Sequence, residues 1–323
     1  MSQRLAALIA LLAMFFCPLP AFAGGAGQQA GFIHSRTDSG VEIGIWYPAE
    51  GKPVARRVGL YSQQVVPDAP LPSGSHPLVV ISHGTGGDFA GHVDTAVALA
   101  RAGFVVASLT HPGDNWRDNS RAAVIQDRPA ALSALITHML TRWEGRGSID
   151  PERIGAFGFS SGGFTVLAAA GGRADFARLP GHCRQHPDFF DCSVISGRSE
   201  SAMPEWRVVP DPRIKALVVA APALGFAFGP EGLAEVTMPV QLWRAEEDRV
   251  LPAPHYAEAV RAALPQPPEY HVVPGAAHLD FLAPCVEPVT VPMPCQKEGF
   301  DRAAFHEDFD REVVRFFREA LGD

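Results

Sequence analysis

The run Gly158-Phe159-Ser160-Ser161-Gly162 is the place in this chain where a hydroxyl could be made reactive. A serine hydroxyl is a weak nucleophile until a base takes its proton, and acyl chemistry also needs amides placed to receive the oxygen that becomes charged. Gly-x-Ser-x-Gly meets both needs when it occupies a strand-to-helix turn. The glycines leave room for neighbouring backbone, and the serine is presented at the strand end. In a chain with 31 glycines the five letters alone would carry little. Their surroundings add weight, because 154–159 is apolar and strand-like and 161–170 is small-residue-rich and helix-like. Ser160 is therefore the expected nucleophile.

The matching base should come late, beyond the last strand. His278 follows Pro274-Gly275-Ala276-Ala277, small residues suited to a turn that swings an imidazole over Ser160. Of the other histidines, His255, His271 and His306 read as ordinary helix or strand residues. The carboxylate that orients the ring should lie between serine and histidine in sequence. Asp248, after the apolar run 240–243, fits best; Glu246 and Glu247 are rivals, and Asp280 reads as a local turn or cap residue. For the oxyanion, the glycine loop His83-Gly84-Thr85-Gly86-Gly87 follows the apolar run 78–82. The Thr85 amide there would act together with the Ser161 amide. His83 itself reads as a structural hydrogen-bonding residue. This chemistry requires no metal and no organic cofactor.

These residues need a scaffold that ends several strands at one edge. Two segments, 31–36 and 41–48, split by Asp38-Ser39-Gly40, read as an N-terminal antiparallel hairpin. The proline-rich stretch 54–76 reads as a surface loop. Beyond it, apolar strands (78–81, 104–109, 154–159, 214–221, 240–244, 270–273) alternate with helical stretches (93–102, 127–143, 161–170, 253–264, 303–321). Such alternation specifies an α/β fold with a mostly parallel, doubly wound sheet. Residues 171–212 show no clear period and read as a small insertion after the nucleophile helix. One domain, 24–323, is expected.

Composition narrows the partners. The formal charge of −8 among 323 residues, and the lack of any Lys/Arg-rich run, argue against a nucleic-acid backbone. Residues 1–23 read as an export signal: Arg4, a continuous apolar run to Phe16, then Ala21-Phe22-Ala23 as a cleavage site. The run is short for a membrane span, so no stable anchor is expected. Four cysteines then remain, Cys183, Cys192, Cys285 and Cys295, in a compartment that favours disulfides. Proximity pairs Cys183 with Cys192 and Cys285 with Cys295. The rival reading is a zinc site from His182, Cys183, His186 and Cys192.

The order of motifs resembles the dienelactone hydrolase-like and platelet-activating-factor acetylhydrolase-like branch of the α/β-hydrolases. The resemblance rests on Ile45-Trp46-Tyr47-Pro48-Ala49, Ser82-His83-Gly84, His111-Pro112-Gly113-Asp114, Asp127-Arg128-Pro129, the serine elbow and Ala277-His278-Leu279-Asp280-Phe281-Leu282. It implies an α/β-hydrolase fold with Ser160, His278 and Asp248 as nucleophile, base and acid, and with Thr85 and Ser161 binding the oxyanion. The chain departs from dienelactone hydrolases proper in carrying serine where they use cysteine. It departs from the animal acetylhydrolases at Ala220-Ala221-Pro222-Ala223-Leu224, which holds no carboxylate, and this favours Asp248. The expected substrate is a small or medium carboxylic ester. A peptidase or amidase with the same residues, or a non-catalytic binding protein of the same fold, are the alternatives.

Overall fold

The computed structural model describes residues 28–195, 206–286, 292–295 and 299–322; the expected signal segment 1–23 lies outside the described residues. In chain order the strands are β1 (Gln29–Arg36), β2 (Glu42–Ala49), β3 (Val54–Val58), β4 (Tyr61–Val65), β5 (His76–Ser82), β6 (Val105–Leu109), β7 (Ile149–Phe159), β8 (Ile214–Ala220), β9 (Val240–Ala245) and β10 (Glu269–Val273). The helices are α1 (Val93–Arg101), α2 (Asp127–Thr141), α3 (Ser161–Ala169), α4 (Leu179–Gln185), α5 (Phe190–Ile195), α6 (Ala257–Ala263), α7 (Pro292–Cys295) and α8 (Arg302–Leu321).

Eight strands form one mixed sheet in the order β1-β2-β6-β5-β7-β8-β9-β10. β1 and β2 are antiparallel, as is the β2–β6 pair, and from β6 to β10 every pairing is parallel. The central strands are apolar on both faces because helices cover both. Leu78, Val80, Ile154 and Leu217 pack with α2, α3 and α6, whereas Val79, Ile81, Phe157 and Val218 pack with α1 and α8. Alternate side chains along one strand point to opposite faces, so a strand sandwiched between helix layers reads as an unbroken apolar run.

The strand order reverses at β5. The chain leaves β5 through α1 to β6 on one side, then reaches β7 on the other side and leaves through α3. α1 and α3 lie on opposite faces of the sheet. Two adjacent strands whose following segments diverge in this way open a crevice at their carboxyl ends, the usual ligand position in open α/β sheets. The loops at that crevice are Ser82–Gly87 and the Ser160 turn.

One expectation fails. Residues 54–65 are not a loop but a second, two-stranded antiparallel sheet of β3 and β4. β4 alternates buried Tyr61, Gln63 and Val65 with exposed Ser62 and Gln64. The period of two was present, but its central inward residue is polar. Gln63 is tolerated inside because its Oε1 accepts the Trp46 indole N–H at 2.6 Å. Among the described residues no helix is long and apolar enough to cross a membrane.

Candidate functional site

Ser160 sits between β7 and α3 with φ 56° and ψ −119°, a conformation that L-residues other than glycine rarely adopt. Such a residue carries about 1–3 kcal/mol of strain and persists only where its surroundings over-determine it. Here its N–H donates to the Ala220 carbonyl and its own carbonyl accepts from the Ala223 amide, each at 2.9 Å. The first contact comes from the last residue of β8 and the second from the turn just after it, so the neighbouring strand end holds the serine turn. The glycines are required by close approach. A Cβ on Gly158 would fall 2.1 Å from the Gly162 carbonyl oxygen, and one on Gly162 would fall 1.8 Å from that of Ser82.

His278 lies in the turn after β10, and Asp248 in the turn after β9. The His278 Nδ1–H donates to Asp248 Oδ2 at 2.7 Å, which leaves Nε2 free to accept from the Ser160 hydroxyl at 3.1 Å. All three side chains are buried. Asp248 is fixed from behind, because its Oδ1 accepts the Val250 and Leu251 amides at 2.9 and 2.8 Å. The two rivals are excluded from this contact by position. Glu246 and Glu247 are exposed, and Glu246 accepts the Gly275 amide instead. Asp280 caps the histidine's turn through the Ala277 amide at 2.7 Å and receives Arg302 at 2.9 Å.

His306 anchors the histidine's turn from α8. It donates to the Asp280 carbonyl at 2.8 Å and pairs with Asp94 of α1 at 2.6 Å. Burial opposes its charge, but the charge and hydrogen bond of Asp94, the Asp310 charge and the Asp280 carbonyl together outweigh burial, and the ring is held above its ordinary pKa.

The Thr85 and Ser161 hydroxyls meet at 2.6 Å, which ties the loop after β5 to the first turn of α3. The amides of a helix's first residues have no acceptor within the helix. The loop is held from beneath by Arg128 of α2, which is fully buried. Arg128 donates to the His83 carbonyl, to Asp114 Oδ2 at 2.6 Å and to Thr165 Oγ1 at 3.0 Å; Asp114 Oδ1 in turn accepts the Gly86 amide at 2.9 Å. The residues flanking Thr85 are thus both gripped by one ion pair. Burial brings Arg128 down to about 10 against the pull of Asp114. His83 is structural: Nδ1–H donates to the Gly84 carbonyl and Nε2 accepts the His111 amide. Burial and Arg128 keep this ring well below its ordinary pKa, and therefore neutral.

Arg128, Asp114, Asp191 and Tyr256 were not marked out individually by the sequence. The first two stood inside motifs already noted, His111-Pro112-Gly113-Asp114 and Asp127-Arg128-Pro129, and membership of those motifs was the available signal. Asp191 of α5 carried none. Its Oδ2 accepts the Leu224 amide at 3.2 Å, and the Tyr256 hydroxyl donates to it. Burial raises the Asp191 carboxyl to about 6 within electrostatic reach of His278, and burial likewise raises the Tyr256 phenol.

Both expected disulfides are present, Cys183–Cys192 and Cys285–Cys295. This corrects the rival zinc site, since two of its four ligands are bonded to each other. Its histidines meet a third instead: His182, His186 and His255 cluster together, with Phe226 stacked on His182 and Phe189 on His186. Burial first, then the neighbouring rings, hold His182 down at about 4. Trp116, by contrast, is exposed and lines a separate cavity with Phe32, Arg56 and Arg117.

Chemically, a neutral imidazole between a hydroxyl and a buried carboxylate can accept the hydroxyl proton as the oxygen attacks, and the carboxylate stabilises the resulting cation. No known family model matches the chain. Over 159 residues, 48% of this chain, it is 28% identical to a protein of Nocardia uniformis subsp. tsuyamanensis described as "Putative esterase NocK". The match covers 42% of that protein, so the chain spans less than half the length of the relative it matches.

Proposed function

We propose that the chain is a serine hydrolase of the α/β-hydrolase fold that cleaves carboxylic esters of small or medium acyl chain. The observation that carries this reading is His278, bonded on one side to Asp248 and on the other to a Ser160 held at positive φ. Ser160 attacks the ester carbonyl as His278 takes its proton. The tetrahedral oxyanion is received by the Thr85 and Ser161 amides, the alcohol leaves with the proton from His278, and water releases the acyl group by the reverse route. The fold assignment is supported by the antiparallel β2, the reversal at β5 and the serine turn after β7. Within that fold, the sequence motifs favour the dienelactone hydrolase-like and acetylhydrolase-like branch. The name of the Nocardia relative supports an ester rather than an amide. Two disulfides support export to an oxidising compartment.

A fluorophosphonate probe followed by peptide mapping tests this directly. Wild type is expected to be labelled at Ser160 and Ser160→Ala to be unlabelled, with p-nitrophenyl acetate turned over only by wild type. A folded wild type that takes no label would return the chain to a non-catalytic binding role.

A further inference from the structure

We propose that His182, His186 and His255 form a transition-metal site, best suited to zinc, that clamps the segment between α3 and β8 onto the turn carrying Asp248. Each of the three half-buried rings offers one nitrogen, and these nitrogens all lie within 4.8 Å of one another. A tetrahedral zinc with bonds of about 2.0–2.1 Å would bring its ligand nitrogens to roughly 3.3–3.5 Å apart. Metal binding would therefore draw the nitrogens together by up to about 1.5 Å through side-chain rotation.

Three features make this a built site rather than a coincidence of polar side chains. His182 lies in the last turn of α4 and His186 is the residue that caps it, its amide donating to the His182 carbonyl at 2.9 Å, and the two ring centres are 5.0 Å apart. The Cys183–Cys192 disulfide joins that helix to α5 and fixes the pair. The rings are also oriented by flat stacking: Phe226 on His182 at 3.6 Å and 10°, and Phe189 on His186 at 4.5 Å and 9°. His255 comes from a different part of the chain, seven residues beyond Asp248, and its ring centre is 4.3 Å from that of His186.

The donor set selects the metal class. Three imidazoles without a carboxylate suit zinc, copper, nickel or iron and offer little to magnesium or calcium, which prefer oxygen. Three protein ligands leave a fourth position for water, as in zinc sites that exchange a ligand. The site also communicates with the serine's surroundings. His182 Nε2 lies 3.5 Å from the Tyr256 hydroxyl, which donates to Asp191. This site needs none of the catalytic roles proposed above.

The test is calorimetric titration of zinc into the full, disulfide-intact chain after chelator treatment, with melting temperature as a second readout. One equivalent is expected to bind and to raise the melting temperature. Losing an outer partner of a ligating histidine already costs about 10–100-fold in affinity, so loss of a ligand should exceed that. His186→Ala and His255→Ala should each weaken binding more than about 100-fold and abolish the zinc-induced shift. His34→Ala and His278→Ala should retain both. If an alanine variant lacks a cooperative unfolding transition, the glutamine variant at the same position is read in its place. No uptake by wild type, binding that survives loss of either cluster histidine, or binding lost in His278→Ala would each overturn the proposal.

Discussion

Replacing Asp248 by asparagine isolates the tautomer of His278 from everything else in the site. Asp248 Oδ1 accepts two amides, Val250 and Leu251, and Oδ2 accepts the His278 Nδ1–H. An asparagine must turn its carbonyl toward the two amides, because an NH2 there would face two donors. Its NH2 then points at Nδ1, which can meet it only as an acceptor. The ring's proton moves to Nε2, facing Ser160 as a donor, so the ring can no longer accept from the Ser160 hydroxyl while the fold is kept. In serine hydrolases with this arrangement the equivalent change lowers kcat by about 10⁴, or roughly 5.4 kcal/mol of transition-state stabilisation. Thermal stability should move little, since both backbone contacts survive.

The assay is p-nitrophenyl acetate turnover together with the rate of fluorophosphonate labelling. Both should fall by about 10³–10⁴ in Asp248→Asn and by less than about threefold in Glu246→Gln or Glu247→Gln, whose side chains lie outside the contact. A loss under about tenfold in Asp248→Asn, or equal losses in all three, would refute the tautomer argument.

Arg128→Met should destabilise by about 3–5 kcal/mol because it strands the buried Asp114 charge; adding Asp114→Asn should restore part of this in urea titrations, and a single variant as stable as wild type would count against the pair's role. The Cys183→Ala/Cys192→Ala chain should lose about 2.5–3 kcal/mol by the loop-entropy estimate for a closed loop of about ten residues, read as a lower denaturation midpoint under non-reducing conditions. Asp191→Asn should remove a pH dependence. The native carboxyl, raised to about 6 from 3.8, binds its proton more tightly than the unfolded chain does, so its contribution to stability falls as pH rises from about 4 to about 6. About two pKa units correspond to roughly 3 kcal/mol. Urea midpoints at pH 4.5 and 7.5 that differ equally in wild type and variant would dispose of this reading.

What the sequence made legible was whatever is decided locally. The serine turn depends on two glycines beside it, and buried parallel strands declare themselves as apolar runs, so both could be read from short windows. Asp248 and His278 could be selected by chain order and strand ends because an open parallel sheet gathers successive turns at one edge. The structure brings them to Ser160. Contacts between distant segments could not be read this way. Gln63 hid the alternation of β4 because its partner, Trp46, lies on β2. Asp114 and Arg128 each looked like a loop or helix charge until α2 packed beneath the loop after β5. Cysteine spacing identified the disulfides, but nothing within 171–212 indicated that His255 would join His182 and His186.

Asp191 shows how that segment bears on the serine. The stretch 220–224 lacks a carboxylate of its own, yet α5 delivers one to its end: Asp191 accepts the Leu224 amide, while the adjoining Ala223 amide holds the Ser160 carbonyl. Leu224 is at φ 53°, a strained position that a side-chain acceptor helps to fix. The same carboxyl receives Tyr256, which closes the segment following Asp248. One buried group therefore braces the backbone behind Ser160 and the segment behind Asp248. Because it carries its charge only above about pH 6, the bracing is electrostatic in neutral solution and neutral hydrogen bonding below it. An insertion built this way is part of the framework that sets the serine turn, and its loss should disturb Ser160 before it disturbs the sheet.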